Sequence, residues 1–156
     1  MDTNRIREMA RNFWESGMKM LLENPYNVRD LLQLGGCGWV ESLELDRMTC
    51  LKESFVPRED RRIESDVIHV VPLPPGNPWG EEQRLWVYIL IVNREVPDPL
   101  LPFRLHERAN QVRELQKREW VRTRGSLAGF RCEPVLPVAL CTGMEPPGAR
   151  RRGASN

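Results

Sequence analysis

The chain lacks any apolar run long enough to cross a bilayer. Its longest such run, Leu85 to Val92, has the length of a strand, whereas a transmembrane helix needs about 20 apolar residues. The N-terminus begins Met-Asp-Thr-Asn and lacks the basic and apolar regions of a secretion signal. We therefore expect a cytoplasmic protein with no membrane partner.

The motifs of several enzyme classes are also missing. The sequence contains no glycine-rich phosphate loop, no Gly-x-Gly-x-x-Gly, no Gly-x-Ser-x-Gly and no His-Glu-x-x-His. There is no Cys-x-x-Cys pair, and His69 and His106 lie near no cysteine in the sequence, which argues against a zinc site. We expect no small-molecule cofactor. Without a secretion signal we expect reduced, mostly buried thiols at Cys37, Cys50, Cys132 and Cys141.

The composition is that of one folded domain with balanced charge. Of the 156 residues, 40% are hydrophobic and 11 are glycine, which is typical of globular domains. The 23 basic and 22 acidic residues give a net charge of +1. There is no global basic field, so any nucleic-acid-binding surface must be local.

The spacing of apolar residues predicts two N-terminal helices. The first ends at Asn24-Pro25, where the second begins with Asn24 as N-cap and Pro25 in its first turn. Gly35-Gly36 ends the second helix. We expect both apolar stripes to pack against a core. They comprise Ile6, Met9, Ala10, Phe13, Met18, Leu21 and Leu22, then Val28, Leu31 and Leu32.

Four segments are strand candidates. Thr49 to Val56 is the weakest, and Asp66 to Val71 is β-branched. Leu85 to Val92 is apolar on both faces, as expected of a central strand in which Trp86 belongs to the core. A proline-rich turn between the second and third candidates predicts a hairpin with a long tip. Pro134 to Cys141 is the last candidate.

A third helix lies between the last two strands. Asp98-Pro99 is expected to cap and begin it, and Gly125 to end it. The order helix, three strands, helix, strand predicts an α/β domain on a mixed sheet over residues 1–143. Residues 144–156 include Arg150 to Arg152 and little that is apolar, so we expect a disordered tail.

One constellation offers hard oxygen ligands. Asp66 starts a strand, and the next strand ends at Val92-Asn93-Arg94-Glu95. Carboxylates at adjacent strand ends suit Mg²⁺, which can polarise a phosphodiester and activate an attacking water. The alternative is that Asp66 is a solvated acid at a strand start. His69, three positions further, is expected on the opposite face as a packed histidine.

Several segments stand in an order shared with a known family. They are Phe13-Trp14-Glu15, Asn27 to Leu32, Glu64 to Ile68, Leu85 to Ile91, Pro97 to Leu105 and Val135 to Gly143. Together they resemble the recombination-promoting nuclease family, whose members are also described as transposases. The resemblance implies a PD-(D/E)XK restriction-endonuclease-like core and Mg²⁺-dependent cleavage of double-stranded DNA. It also implies that Asp66 is the first catalytic aspartate and a metal ligand.

Two positions depart from the family pattern. Val92 stands where the resemblance implies a second carboxylate, and Arg94 stands at a glutamine position, where it could contact a phosphate. Glu64 shares a strand face with Asp66 and is the best replacement ligand. We therefore expect Asp66, Glu64 and Arg94 in the catalytic set of a degenerate or truncated copy. Weaker replacements are Glu95, Glu15 and Glu23.

The third helix is the local basic surface. From Arg104 to Arg124 it has seven basic and three acidic residues, and such a helix can follow a phosphate backbone. The alternative is a solvated face with i,i+4 pairs such as Glu114–Arg118; His106 is expected to be exposed there. The expected nucleic-acid contacts are Arg104, Arg108, Arg113, Lys117, Arg118 and Arg122.

Three functions remain open at this point. The first is a metal-dependent DNA endonuclease that uses Asp66. The second is a related domain that has lost catalysis and binds DNA or a protein. The third is an interaction domain with no nucleic-acid role. Phosphate-driven binding weakens steeply with salt, which separates the second function from the third.

Overall fold

The described part of the chain folds around a four-stranded mixed sheet. The computed structural model describes residues 3–5, 17–94 and 96–143. The strands are β1 (Thr49–Leu51), β2 (Glu64–Pro72), β3 (Arg84–Asn93) and β4 (Val135–Thr142), and they lie side by side in that order. The β1–β2 and β2–β3 pairs are antiparallel, and β3–β4 is parallel. The predicted α/β class with a mixed sheet is confirmed.

Two helices frame the sheet, α1 (Pro25–Leu34) and α2 (Leu101–Arg124); residues 17–22 are also helical. The predicted cap of α1 is confirmed, because the Asn24 side chain accepts a hydrogen bond from the Tyr26 N–H at 2.9 Å. Gly125 ends α2 as predicted, with a positive φ of 78° that glycine adopts without strain.

The predicted start of α2 is two residues too early. The helix begins at Leu101 rather than at Asp98-Pro99. Asp98 instead accepts a hydrogen bond from the Leu100 N–H at 2.9 Å, and its other carboxylate oxygen lies 2.8 Å from Arg104. An aspartate whose oxygens are used in this way forms a turn before the helix instead of capping its first residue.

The predicted strand from Thr49 to Val56 is also wrong in its length. β1 ends at Leu51, and residues 52–57 leave the sheet. The Phe55 N–H and the Ser54 hydroxyl donate to the Asp66 carboxylate instead of continuing the ladder. A buried acceptor on β2 therefore captures the segment and ends the strand early.

Each face of the sheet buries its own apolar cluster. One cluster joins the odd-numbered positions of β2 and β3 to α1, and includes Val28 and Ile89. The other joins the even-numbered positions to α2, and includes Trp86 and Val112. β3 is buried along almost its whole length, which confirms it as the central strand. His69 is fully buried on the α1 side, as predicted.

The structure also bears on the expectations for the cysteines, the chain ends and a membrane span. Free thiols are confirmed, but the expectation of mostly buried ones is wrong, because Cys132 and Cys141 are exposed. The apolar stripe from Ile6 to Phe13 and the tail 144–156 lie outside the described residues. Among the helices that the structure describes, none is both long and apolar enough to span a membrane.

Candidate functional site

The predicted acidic site lies where β2 begins and where β3 and β4 end. Glu64 and Asp66 stand two residues apart on β2 and share the face that α2 covers. In the register of the sheet, Glu64 lies opposite Val92 and Asp66 lies opposite Leu90. Glu64 therefore shares a face with Asp66, as the sequence predicts, and the structure puts it beside Val92.

Asp66 is fully engaged by hydrogen-bond donors. Its Oδ2 accepts from the Phe55 N–H at 2.7 Å and from the Tyr88 hydroxyl at 2.9 Å. Its Oδ1 accepts from the Ser54 hydroxyl at 2.5 Å. The residue is only 1% exposed. The expectation of a solvated acid at a strand start is therefore wrong, and Asp66 instead holds the segment after β1 against the sheet.

Glu64 is enclosed by two arginines from the first turns of α2. Arg104 Nη1 lies 2.7 Å from its Oε1, and Arg108 Nη2 donates to its Oε2 at 3.4 Å. The Glu64 side chain is 0% exposed, Arg108 is 7% exposed and Arg104 is 18% exposed. Because Arg104 and Arg108 are four residues apart, one helix face presents both cations to the same carboxylate.

Two further acids complete an ionic cluster around these arginines. Asp98 Oδ2 lies 2.8 Å from Arg104 Nη2 and 3.4 Å from Arg94 Nη1. Asp60 Oδ2 lies 3.7 Å from Arg108 Nη2. We call this set of three arginines and three acids the ionic cluster; its members are Asp60, Glu64, Arg94, Asp98, Arg104 and Arg108. Its charges balance within the cluster.

The oxygen ligands at this end of the sheet do not fit Mg²⁺. A divalent ion needs accessible oxygen ligands at about 2.1 Å, whereas both carboxylates are buried and already bound by hydrogen-bond donors or cations. Val92, which stands at the remaining ligand position, is apolar and 2% exposed. Within residues 3–5, 17–94 and 96–143, no group of three acidic, histidine or cysteine side chains could hold a metal. The cations of α2 supply the counter-charge that a metal would supply.

Of the weaker replacement ligands, the structure describes only Glu23. Glu95 and Glu15 lie outside the described residues. Glu23 is exposed and acts electrostatically on His69, on the opposite face of the sheet from Asp66. Among the described acids, only Glu64 lies beside Asp66 on the same strand face.

The predicted nucleic-acid contacts of α2 fall into two groups. Arg104 and Arg108 point inward and belong to the ionic cluster. Lys117, Arg118 and Arg122 are exposed, and Arg113 is partly exposed. None of these four forms an ion pair within 4.0 Å with an acid that the structure describes, and the alternative Glu114–Arg118 pair is not formed.

Sequence reasoning missed Tyr88 and Asp98 as parts of the site. Tyr88 is the one polar residue inside the apolar run Leu85 to Val92, and a buried tyrosine hydroxyl generally requires a partner. That signal could have linked it to Asp66 across the hairpin. Burial, followed by the nearby Asp66 carboxylate, raises the pKa of Tyr88 well above its ordinary value. Tyr88 therefore acts as a neutral hydrogen-bond donor.

Comparisons with known proteins add no relative to this geometry. No protein-family model, no curated protein and no solved structure matches the chain.

Proposed function

We propose that this chain is a double-stranded-DNA-binding domain that has lost metal-dependent hydrolysis. Its core is of the PD-(D/E)XK restriction-endonuclease-like type, and it derives from the recombination-promoting nuclease family. The order helix, three strands, helix, strand supports this core. So does the position of Asp66 near the start of β2, on the face that α2 covers, because the resemblance implies that the first catalytic aspartate of the family stands at this position.

The observation that carries the proposal is the contrast between acids and cations on the α2 side. Asp66 and Glu64, which hydrolysis would use, are buried and bound by neighbouring side chains. Lys117, Arg118 and Arg122 face solvent without an acidic partner among the described residues. Unpaired cations on a helix attract a polyanion, and they release counterions when phosphates replace solvent.

The test of binding is fluorescence anisotropy with a short DNA duplex at increasing salt. We expect binding whose affinity falls steeply between about 50 and about 200 mM salt. The double variant Arg118→Gln/Arg122→Gln should bind more weakly and show a shallower salt dependence. The matched control is Arg29→Gln/Arg47→Gln, which removes two arginines away from α2, each beside an acid. If both double variants lost the same affinity for the duplex, that result would contradict binding through α2.

The test of lost hydrolysis is nicking of supercoiled plasmid with Mg²⁺ or Mn²⁺. We expect no nicking by the native chain. Val92→Glu is also expected to be inactive, because Arg104 and Arg108 still occupy the neighbouring carboxylate. Nicking by the native chain that disappears in Asp66→Ala would overturn this half of the proposal and identify a working nuclease.

A further inference from the structure

A second set of exposed arginines lies in the turn before β2. The 3-10 helix Arg58–Asp60 continues into a turn over residues 61–63, closed by hydrogen bonds from Asp60 N to Pro57 O and from Ile63 N to Asp60 O, both 3.0 Å. Arg58, Arg61 and Arg62 are exposed, and none pairs with an acid within the part of the chain that the structure describes. These cations are held in a defined turn and are available for a ligand.

The ionic cluster fixes this turn against one flank of α2. Asp60 Oδ2 lies 3.7 Å from Arg108 Nη2, so the turn contacts the helix at Arg108. At 3.6 residues per turn, Arg118 and Arg122 point within about 80° and about 40° of the direction of Arg108. The turn therefore meets α2 at Arg108, on the same flank of the helix as the exposed Arg118 and Arg122, which lie about 15 Å and about 21 Å further along the helix axis.

The dimensions of this flank match a duplex better than a small anion. Arg108 and Arg122 are 14 positions apart, which corresponds to about 21 Å along the helix axis. Double-stranded DNA presents one phosphate charge for about every 1.7 Å of its axis. The exposed arginines of the turn at one end of this length, and Arg118 and Arg122 at the other, can therefore contact phosphates several charges apart on one duplex. The guanidinium fork of arginine matches phosphate geometry.

The acids in the turn leave a positive surface. Glu59 is exposed, while the Asp60 carboxylate points towards Arg108. Three arginines therefore face solvent against one exposed glutamate. We propose that Arg58, Arg61 and Arg62 form a second DNA-contacting element, which joins Arg118 and Arg122 in one phosphate track. This inference rests on the proposed DNA binding by α2.

The experiment compares the native chain with Arg58→Gln/Arg61→Gln/Arg62→Gln in the duplex salt titration. If all three arginines contact phosphates, the slope of log K against log salt becomes shallower by roughly 2 to 3, and affinity at low salt falls at least about tenfold. The matched control Lys19→Gln/Arg29→Gln/Arg47→Gln removes the same charge away from α2 and the turn. Circular dichroism and thermal unfolding check that each variant is folded.

The outcomes separate this inference from the proposal on which it rests. If the native chain does not bind duplex DNA, both fail. If Arg118→Gln/Arg122→Gln weakens binding but the turn variant matches the native chain in affinity and slope, only the turn inference fails. If the control triple variant loses as much affinity for duplex DNA as the turn variant, binding depends on total charge. That result would overturn the proposal of a local phosphate track. Tighter binding to single strands than to duplexes would also overturn it.

Discussion

The long helix α2 carries two pairs of arginines with the same spacing and opposite environments. Arg104 and Arg108 are four residues apart and turned inward onto Glu64. Arg118 and Arg122 are also four residues apart, but they face solvent. The helix repeat is the same for both pairs, so the difference comes from the element opposite: β2 presents a buried carboxylate to the first pair only. A basic stripe in a sequence therefore combines structural and binding cations.

The largest expected effect comes from breaking the inward pair. Arg108→Ala leaves Glu64 buried with only Arg104 as a partner, and removing one partner of a buried ion pair costs about 3–5 kcal/mol. Chemical denaturation should show that loss of unfolding free energy. In contrast, Arg122→Ala should stay within about 0.5 kcal/mol of the native chain, as expected for a surface position.

A double variant separates charge pairing from packing at the same site. Glu64→Leu/Arg108→Met replaces both charges by apolar groups, which is often neutral or stabilising for buried pairs. We expect it to be more stable than Arg108→Ala. If the double variant were as unstable as the single one, the loss would come from packing, and the electrostatic account of the ionic cluster would be wrong.

The next effect tests the role of Asp66 as a structural acceptor. Asp66→Ala removes the acceptor of the Tyr88 hydroxyl, the Phe55 N–H and the Ser54 hydroxyl. A buried donor left without a partner costs about 1–3 kcal/mol, so we expect a total loss of about 3 kcal/mol. Tyr88→Phe, which removes one of these bonds, should cost about 1 kcal/mol. An unchanged denaturation midpoint in Asp66→Ala would mean that the segment after β1 is held by something else.

A smaller effect concerns the opposite face of the sheet. The Nε2 of His69 lies 2.6 Å from the Leu22 carbonyl oxygen, to which the neutral ring donates. Burial lowers the pKa of His69, although this hydrogen bond and Glu23 oppose the shift. The unfolded chain therefore binds the proton more readily, and unfolding free energy falls as pH drops below about 6.5, by at most about 1.4 kcal/mol per pH unit.

The matched variant for this effect is His69→Gln, which keeps an N–H donor but does not titrate. The difference in unfolding free energy between the native chain and this variant, measured from neutral pH downwards, isolates the histidine from the carboxylates. We expect the native chain to lose stability relative to the variant. Parallel curves would show that His69 does not contribute to the pH dependence.

The accuracy of the sequence predictions depends on whether local or distant residues decide the structure. The Asn24 cap, the Gly125 end of α2 and the central strand β3 are local patterns, and all three were predicted correctly. The early end of β1 was not, because Asp66, which lies 11 positions after Phe55, binds the segment that follows β1. The start of α2 was predicted two residues too early, although Asp98 and Arg104, which form the turn before the helix, lie only six positions apart. Spacing identifies an element, but side-chain contacts decide where it ends.

The candidate site follows the same division. Strand alternation correctly put Glu64 beside Asp66 on one face and His69 on the other. It could not reveal that Arg104 and Arg108 enclose Glu64, because that requires knowing how α2 crosses the sheet. Resemblance also assigned Asp66 a position without revealing its three hydrogen-bond donors. The chemistry of a buried carboxylate depends on these contacts, so the identity of the residue alone could not predict it.

The smallest expected change in stability sharpens the comparison between the two arginine pairs. Arg118→Gln/Arg122→Gln removes two exposed charges that have no acidic partner within 4.0 Å in the described chain. The free energy of unfolding should therefore change by less than about 0.5 kcal/mol per site. The same variant should bind duplex DNA more weakly, with a salt slope reduced by roughly 2. A large loss of stability with unchanged binding would reverse the two assignments, because it would make the outward pair structural.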